Sequence, residues 1–450
     1  MNESLYPKTL LTPGDPGWDD ARRPWNLAFD QRPDAIMNVE SPDDVAAAFN
    51  HARSRGLRVT AQGTGHGAGM LRPLAGTLLV RTSRMRKVQI DPGARRARVE
   101  AGAWWQDVTV PAATHGLAAL AGSSPDVGVA GYLLGGGVSW LARRYGLATN
   151  TIQAVELVTA DGRLRRVDQA HDPWLFWALR GGGGSFGIVT ALEFELFPIR
   201  EAYAGALFWP IDRAPEVLHA WAQWTADGVP EELTSIGRVL RFPSLPELPD
   251  HLRGRDFVIL EAAYVGPEAT GAGLLQPFRS MAPVMDTFAT VPMPALQSLH
   301  MDPEAPVPAL ADGSLLTQLP GAAIDSLLAV VGPGCPTPLL SVEVRHIGGA
   351  AGRTAPDHGA LARLDGDYLF LAAGITPDPD TTAQVGRDVQ ATRQAVAPWA
   401  SAYEYANFCE RPGDAGRLFP PDVYRRLRMI KTEVDPDNLI EASHFVPPAG

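Results

Sequence analysis

The stretch Gln62-Gly63-Thr64-Gly65-His66-Gly67-Ala68-Gly69 determines how the first part of this chain is interpreted. The runs Ile36–Val39 and Leu57–Gln62 predict two strands, and a helix pattern lies between them. Ser41 is a good N-cap for that helix, and Gly56 is a typical helix end. Strand, helix and strand therefore lead directly into a glycine loop, whose bare amide groups can approach a phosphate closely.

The surroundings of this loop exclude two common interpretations. Its glycines fit the pattern of nicotinamide-dinucleotide enzymes, which also requires a helix opening at the loop and an acidic residue about 20 positions later. Pro73 and Gly76 leave no room for that helix, and the first acidic residue is Asp91. Gly183–Gly187 spells the G-x-S-x-G of hydrolases, but here the serine follows a helix pattern and precedes a strand, which reverses the hydrolase order. With no G-K-[ST] run and no His or Cys pair at ligand spacing, the sequence predicts neither a P-loop nor a metal site.

Composition restricts the class of protein further. The 450 residues carry a formal charge of −11, and 45% are hydrophobic against 20% charged, which is typical of a folded globular protein. The acidic residues are spread along the chain, so we expect no nucleic-acid partner, since such partners require clustered Lys and Arg. Cys335 and Cys409 are the two cysteines, and no apolar run is long enough to span a membrane. Because Met1–Leu11 lacks the features of a secretory signal, the sequence predicts a cytoplasmic protein.

The chain divides into three parts by composition and periodicity. Residues 1–200 alternate strand and helix patterns, residues 201–398 are richer in proline, and residues 399–450 end in a helix pattern. Three runs of the middle part predict strands of one antiparallel sheet, namely 257–264, 341–346 and 368–373.

Three glycine-rich turns lie in the first part, at 63–69, 122–137 and 181–184. Each of them alone is most simply a tight turn. Because each stands at the end of a strand or helix pattern, together they favour a long dinucleotide that lies across several loops.

Several stretches resemble the berberine-bridge-enzyme-like FAD-linked oxidases of the vanillyl-alcohol-oxidase fold, in particular the bacterial type with one covalent flavin bond. The matching stretches are Gln62–Gly69, Ser124–Gly137, Ala178–Thr190, Tyr405–Phe408 and the tail 424–438. They stand in family order, from about residue 35 to the end. The resemblance implies an α+β, two-domain PCMH-type FAD-binding fold. Its FAD-binding core would lie at about 31–200, its antiparallel-sheet substrate domain at 201–398, and residues 399–450 would return to the FAD domain.

The same resemblance implies FAD as cofactor, bonded through His66 to the 8α-methyl carbon of the flavin. Many relatives form a second bond through a Cys just before the Pro-x-Val-Gly-Val stretch. Ser124 occupies this position, so we expect a single covalent link. Val127 matches the position that controls dioxygen access, where a small β-branched residue is typical of oxidases. The residues expected to bind the cofactor are Gln62, Gly63, Thr64, Gly65, His66, Gly67, Gly69, Ser123, Ser124, Val127, Gly128, Gly131, Gly136, Gly137, Asn150, Gly187, Val189, Tyr405 and Asn407, the last of which matches the residue at the flavin pyrimidine edge.

The sequence defines the catalytic base less well. Many relatives use a Tyr in a Tyr-x-Asn-Tyr segment, and this chain keeps Tyr405, a catalytic candidate, but has Phe408 at the second Tyr. If the second Tyr is the usual base, this protein must use another residue. Strand alternation puts Glu343 and Arg345 on one face and His346 on the other. In the implied fold this sheet covers the flavin, so Glu343 is a candidate base, and Arg345 could orient the substrate or lower the pKa of its partner. An ion pair on a solvent face explains the two residues equally well. Weaker candidates, for which packing is an equal explanation, are Tyr132, Tyr368 and His300.

The implied reaction removes a hydride and a proton from a small organic molecule (an alcohol, sugar, amine or intermediate of secondary metabolism). Dioxygen would be the electron acceptor and hydrogen peroxide the product. Two alternatives stay open: a flavin dehydrogenase that uses another acceptor, and a non-catalytic flavin- or ligand-binding protein, which the change at Phe408 favours. We expect a monomer or a homodimer, because Trp221 and Trp224 suit a dimer face or a core equally well.

Overall fold

The computed structural model describes residues 10–450, of which 10–199 form two sheets and the helices around them. Met1–Leu11, on which the expectation about a secretory signal rests, therefore lies mostly outside the described residues. The elements of this part are β1 (Leu10–Leu11), α1 (Trp18–Arg22), β2 (Ala35–Asn38), α2 (Pro42–Arg55), β3 (Arg58–Gln62), β4 (Thr77–Arg81), β5 (Val88–Asp91), β6 (Arg96–Glu100), α3 (Trp105–Thr114), α4 (Val129–Leu134), α5 (Ala142–Tyr145), β7 (Ile152–Val158), β8 (Leu164–Asp168), α6 (Pro173–Leu179) and β9 (Ile188–Glu195).

The strand–helix–strand unit before the glycine loop is confirmed. Ser41 Oγ accepts from the amide of Asp44, and the Asp44 carboxylate accepts from the amide of Ser41, so the start of α2 is capped from both sides. Gly56, with φ +67°, ends the helix. Strands β2 and β3 both run parallel to β4, which lies between them, and β1 completes this sheet as an antiparallel edge. After β3 the chain forms a short 3-10 turn, Ala68–Met70, in agreement with the exclusion of a dinucleotide fingerprint helix.

The middle of the chain builds one large antiparallel sheet. Its elements are β10 (Glu201–Pro210), α7 (Ala214–Ala226), β11 (Leu233–Arg241), β12 (Asp256–Tyr264), α8 (Glu268–Arg279), β13 (Met285–Asp286), β14 (Ala289–Pro292), β15 (Ala309–Leu316), α9 (Gly321–Val331), β16 (Ser341–His346), β17 (Tyr368–Ile375) and α10 (Pro379–Val396). The strand order is β13-β10-β12-β11-β16-β17-β15, with β14 paired to β10. The three strands predicted for this sheet are confirmed as β12, β16 and β17. A second, five-stranded antiparallel sheet, β5-β6-β9-β7-β8, belongs to the first part of the chain.

The two faces of the large sheet differ in what covers them. On one face, alternate residues such as Val342, Val344 and Phe370 pack against α7, α9 and α10 in a single core. Trp221 of α7 is fully buried in this core, so it does not form a dimer face. The residues between them, including Glu343 on β16 and its neighbours across the strands, point to the opposite face, which we call the cavity face.

The last fifty residues return to the first part of the chain. Helix α11 (Pro421–Val434) ends at Asp435, and the following segment lies beside β3, where Val59 N donates to Leu439 O and Glu441 N donates to Val59 O. Ser185, the serine of the G-x-S-x-G run, is fully buried and accepts a hydrogen bond from Val446 N. It therefore anchors the tail and does not resemble an exposed hydrolase nucleophile. Among residues 10–450, no helix is both long and apolar enough to cross a membrane.

Candidate active site

A cavity of about 1360 Å³ lies between the first part of the chain and the cavity face of the large sheet. The glycine loops at 60–67, 122–135 and 181–184 and the tail at 440–444 form one wall. Strands β11, β15, β16 and β17 form the other wall. Ordinary ligand pockets measure roughly 300–1,000 Å³, so this cavity has room for a dinucleotide together with a small substrate.

His66 stands at the wall of this cavity, and its ring is held from two sides. Trp25 stacks on the imidazole with ring centroids 4.2 Å apart and planes inclined by 18°. Thr64 Oγ1 lies 2.8 Å from Nδ1. The other ring nitrogen, Nε2, is buried 3.5 Å from a carboxylate oxygen of Asp126 and makes no hydrogen bond with a described residue. Since buried polar atoms are nearly always paired, this nitrogen is the unsatisfied group of the loop.

Backbone conformation explains why the loop needs glycine before His66. Gly65 has φ +91°, and a Cβ built on it would lie 2.7 Å from Cβ of Pro24. Within residues 10–450, the amide nitrogens of Thr64–Gly67 donate no hydrogen bond to the protein. The turn thus leaves a set of free donors at the cavity wall.

Asp126 is the partner of His66 that the sequence analysis did not single out. Trp25 Nε1 donates to its Oδ2 (2.5 Å), and Ser124 Oγ donates to its Oδ1 (3.2 Å). Burial acts to raise the pKa of Asp126, but His66, Trp25 and Ser124 outweigh burial and hold the pKa below its usual range. A carboxylate therefore stands beside the imidazole, and Ser124, at the position of the second linking Cys in relatives, serves as its donor.

These features fit FAD. The free amides of Thr64–Gly67 suit a pyrophosphate, because backbone N–H groups in a turn bind anions. The unsatisfied Nε2 of His66 suits a covalent bond to a flavin. Gly131 lines the cavity, and a Cβ built on it meets no atom within 4 Å, so the wall at this point is open to a flat ring.

Most of the residues predicted to bind the cofactor line this cavity, but four do not. Gly69 packs on the ring of Phe29, and Gly136 and Gly137 pack against aromatic side chains. Asn150 Nδ2 donates to carbonyls of the 361–362 segment. These four contacts position loops around the cavity. The predicted residues that line it are Gln62, Gly63, Thr64, Gly65, His66, Gly67, Ser123, Ser124, Val127, Gly128, Gly131, Gly187, Val189, Tyr405 and Asn407.

Tyr405 and Asn407 form a fixed unit at the cavity. The Tyr405 oxygen accepts from the amides of Gly137 and Val138 and from Asn407 Nδ2, which is 3.2 Å away. Asn407 Nδ2 also donates to the carbonyl of Tyr132 (3.0 Å). Burial raises the pKa of Tyr405 well above its usual range, although these donors oppose the shift. A neutral phenol with so many donors around its oxygen is suited to positioning this segment, and poorly suited to accepting a proton.

A row of five ionisable side chains lies along the cavity face of the sheet, and all of them except Glu261 line the cavity. The Arg238 guanidinium pairs with Glu261 (3.0 Å), and Glu261 contacts His300 Nδ1 (2.5 Å). His300 Nε2 lies 2.5 Å from Glu343 Oε2, and Arg345 Nε donates to Glu343 Oε1 (2.7 Å). We call this set, Arg238–Glu261–His300–Glu343–Arg345, the charged row. His300, a weaker sequence candidate, is its centre.

The charges of the row alternate. Burial and Arg238 act to lower the pKa of His300, but Glu261 and Glu343 outweigh them and raise it to about 9, so the imidazole is protonated at neutral pH. Burial acts to raise the pKa of Glu343, but Arg345 and His300 hold it well below its usual range. This is the effect that the sequence analysis expected of Arg345 on its partner, and it stays a prediction.

The alternative interpretation, an ion pair of Glu343 and Arg345 on a solvent face, is wrong about where the pair lies. The pair of Glu343 and Arg345 exists, but the two side chains are only 1% and 12% exposed, and both line the cavity. Alternation correctly placed them on one face. Helices α7, α9 and α10 cover the opposite face of the sheet, so the face that carries Glu343 and Arg345 is the one that borders the cavity.

Tyr368, one of the weaker candidates, and His346, which alternation placed on the other face, belong to the helix-covered side of the sheet. Tyr368 bonds to Thr225 Oγ1 of α7 (2.9 Å) and stacks on His346. Arg143 Nη1 donates to His346 Nε2 (2.8 Å) and to the carbonyl of Ile347. Tyr132 does line the cavity, but its hydroxyl donates to Leu120 O (3.1 Å) and its pKa is raised by burial.

Stability should depend on pH through His346. Burial and Arg143 lower its pKa in the folded protein to about 3, so between pH 6.5 and 3 the unfolded chain binds more protons and stability falls as pH falls. We expect the free energy of unfolding of the wild type to drop relative to His346→Gln, whose amide oxygen can still accept from Arg143. The limit is about 1.4 kcal/mol per pH unit below pH 6.5. Urea titrations at pH 7.5, 6.0 and 5.0 measure this difference, and a difference that is constant over that range contradicts the expectation.

Glu410 is a further cavity residue that the sequence analysis missed. Its amide donates to Asp312 Oδ1 (3.3 Å), and burial together with that carboxylate raises the pKa of Glu410 to about 8. A carboxyl group that titrates near neutral pH is a candidate acid or base. Its position two residues after the matched stretch Tyr405–Phe408 was the available signal.

Comparison with known proteins agrees with this fold and site. Residues 33–168 match the FAD binding domain family. An FAD-linked oxidoreductase from Bacillus subtilis is 28% identical over 100% of this chain and 98% of its own length. The (R)-6-hydroxynicotine oxidase of Paenarthrobacter nicotinovorans is 27% identical over 98% and 97%. The crystal structure of 6-hydroxy-D-nicotine oxidase from Arthrobacter nicotinovorans superposes with a TM-score of 0.87 at 23% identity, covering 100% of both chains.

The chain thus has the PCMH-type FAD-binding fold, and residues 33–168 match an FAD binding domain. Over its whole length the chain is similar to FAD-linked oxidoreductases and oxidases, so it is an enzyme, and its resemblance to the berberine-bridge-enzyme-like oxidases is confirmed.

Proposed function

We propose that this chain is an oxidase that carries FAD on a single covalent bond to His66. The observation that carries the proposal is the buried Nε2 of His66, which stands unsatisfied at the cavity wall while Trp25 and Thr64 fix the ring. Ser124 supports a single bond, because a hydroxyl that donates to Asp126 replaces the second linking Cys of relatives.

Three neighbours of His66 act as positioning residues. Trp25 fixes the ring plane by stacking, Thr64 fixes Nδ1, and the Asp126 carboxylate lies beside Nε2. A histidine whose ring is held in one orientation loses little conformational freedom when it bonds to the cofactor.

Bound FAD would supply a hydride acceptor for a small organic substrate and would pass the electrons to dioxygen, with hydrogen peroxide as product. Arg345 fronts the cavity and orients the substrate. Glu343 has both oxygens directed at His300 and Arg345, so it positions Arg345 and is a weaker base than the sequence suggested. Glu410 is the better candidate for proton transfer, because it lines the cavity and its pKa is raised to about 8; the group is mostly protonated at neutral pH and accepts a proton only in its ionised fraction, which grows as the pH rises. Tyr405 holds Asn407 in place.

An acid-precipitation experiment tests this proposal. The purified protein should show flavin absorption bands, and the precipitate in acid should stay yellow while the supernatant stays colourless. A supernatant that takes up all the colour shows a non-covalent cofactor, and a protein without flavin bands that fails to bind added FAD overturns the proposal entirely.

Val127 should set the rate at which dioxygen reoxidises the reduced enzyme. It lines the cavity, and Val127→Leu adds a methylene group on the proposed oxygen path. We expect reoxidation to slow at least roughly tenfold, a change of about 1.4 kcal/mol in the barrier. Stopped-flow mixing of photoreduced enzyme with aerated buffer measures this rate. Val307→Leu, at another part of the cavity wall, is the control. Slow reoxidation of the wild type itself favours a dehydrogenase with another acceptor.

The proposal also assigns a role to each of the three parts of the chain. Residues 1–200 together with 399–450 would hold FAD, and residues 201–398 would cover it and contact the substrate. A cytoplasmic location is supported by Cys335 and Cys409, which are both free thiols. A monomer or a homodimer is compatible with the described surface.

A further inference from the structure

The guanidinium of Arg345 is fixed at one end of the charged row. Its Nε donates to Glu343 Oε1 (2.7 Å), and its central carbon lies 5.1 Å from the centroid of the Phe408 ring. Glu343 is in turn held by His300. Phe408, which replaces a tyrosine of many relatives, thus serves as a platform for this cation. The side chain is therefore pre-organised and cannot turn away without breaking two contacts.

The donors of this guanidinium are only partly used. Neither terminal nitrogen donates to an oxygen atom within residues 10–450, and Nη2 has only a 3.4 Å contact with His300 Nε2. A nearly buried guanidinium with free N–H groups is incompletely paired, and its planar fork matches a carboxylate in geometry. The terminal N–H groups of Arg345 are therefore available to an acceptor on a bound molecule.

The electrostatic surroundings leave Arg345 as a cation that is available to an anion in the cavity. The charged row alternates in sign, and both of its ends, Arg238 and Arg345, are positive. Asp302, which accepts from Ser123 Oγ, also faces His300 and Arg345, and it balances the remaining positive charge. Glu410, with its pKa near 8, is largely uncharged at neutral pH. Both arginines of the charged row line the cavity, but Arg238 donates to Ser341, Glu261 and the carbonyl of His300, whereas the terminal nitrogens of Arg345 donate to no described oxygen atom.

The outer part of the cavity is apolar. Strands β11, β16 and β17 and the loop after β11 bring aliphatic and aromatic side chains to its wall, while alanines at 311 and 373 leave space between them. The sugar hydroxyls that several relatives oxidise would lose their hydrogen bonds to water here without replacement. The side chains that form this apolar wall are Leu240, Phe242, Leu252, Leu340, Leu371 and Ile375.

We propose that the substrate is an apolar carboxylic acid, whose carboxylate binds the terminal nitrogens of Arg345 and whose apolar body fills the outer cavity. The oxidisable C–OH or C–N group is carried elsewhere on the same molecule. This inference rests on the proposed function, because substrate and flavin share the cavity.

Binding of substrate-like probes to the holoenzyme tests this inference without turnover. The probes are phenylacetate, 3-phenylpropanoate and 4-phenylbutanoate, each with its primary amide, and cellobiose as the sugar. Perturbation of the flavin spectrum and of tryptophan fluorescence reports binding. At least one carboxylate should bind roughly tenfold or more tightly than its amide, because a charge-assisted bidentate contact is lost in the amide. Cellobiose should cause no perturbation at the same concentrations.

Variants at two arginines show which residue causes the preference for the carboxylate over the amide. Arg345→Met should abolish the preference for the carboxylate and leave the affinity of the amide within about twofold. Arg241→Met is the matched control: Arg241 also lines the cavity, its Nη2 donates to Val331 O, its Nε pairs with Asp256, and its Nη1 is buried without a described partner. This variant should keep the preference, and a loss of the preference here with retention in Arg345→Met would place the carboxylate at Arg241.

Three outcomes overturn the inference: equal binding of acid and amide, preferential binding of cellobiose, or an unchanged preference in Arg345→Met. In the last case a shifted flavin potential would show that Arg345 serves the cofactor. If Arg345→Met does not fold, the comparison of acids with amides in the wild type still tests whether the cavity prefers a carboxylate. The flavin content of each sample is measured first, and tryptophan fluorescence reports ligand binding even in a sample without flavin. A failure of the proposed function is therefore distinguished from a failure of the carboxylate inference.

Discussion

In His66→Ala, acid precipitation should give a colourless pellet, and all the flavin should appear in the supernatant. The substitution removes the nitrogen that stands unsatisfied at the cavity wall, while the free amides of Thr64–Gly67 remain to bind the pyrophosphate. We therefore expect the variant to fold and to bind FAD reversibly. Absorption spectra of pellet and supernatant, with thermal melting as a check of folding, measure the result.

His171→Ala is the control for this experiment, because His171 is 76% exposed and lies far from the glycine loop. Its pellet should keep the full colour of the wild type. If the pellet of His66→Ala stays yellow, another side chain carries the flavin, and the assignment of His66 fails. The expected reduction potential of the variant is lower than that of the wild type, since the covalent ring nitrogen no longer withdraws electrons from the flavin.

Lys431→Met should destabilise the protein by roughly 3–5 kcal/mol, the usual cost of leaving one charge of a buried pair without its partner. Lys431 is fully buried in α11, where its ammonium donates to Asp435 and to the carbonyls of Ser185 and Ile440. The variant leaves the Asp435 carboxyl group without its ammonium partner and these two carbonyls without their donor. Urea unfolding followed by circular dichroism measures the change in the free energy of unfolding.

An exposed lysine provides the comparison. Lys87→Met makes the same chemical change at a solvent-exposed position, and we expect an effect within about 0.5 kcal/mol. Equal stability losses in the two variants would mean that the buried network around α11 does not stabilise the tail. In addition, Lys431→Met should release the tail from β3, so its flavin content should fall together with its stability.

Local chemistry explains which parts of the fold were predictable. Helix α2 was predicted to within a residue at each end because Ser41 and Gly56 act through hydrogen bonds and backbone angles within a few residues. Alternation put Glu343 and Arg345 on one face because the period of a strand is fixed at two. The resemblance supplied the order of the glycine loops and the place of His66.

Contacts between distant segments explain what the sequence did not predict. Asp126 meets His66 across sixty residues of chain, and no local pattern connects a carboxylate in one turn with an imidazole in another. His300 joins Glu261 to Glu343 only because β12 and β16 flank β11 in the sheet order. Asn150 was expected at the cofactor but holds the 361–362 segment, because sequence proximity to a glycine loop does not fix which way a side chain points.

The tail at residues 440–444 forms part of the cavity wall and lies beside β3, one of the first strands to be synthesised. A nascent chain on the ribosome therefore lacks this wall until residues 440–444 have been synthesised. Cofactor capture, and with it the proposed bond to His66, would then have to wait for these residues, and its rate would set the time between their synthesis and the first catalytic turnover. A polypeptide shortened by a premature stop codon before α11 would be released with its glycine loops intact and would still be unable to retain flavin.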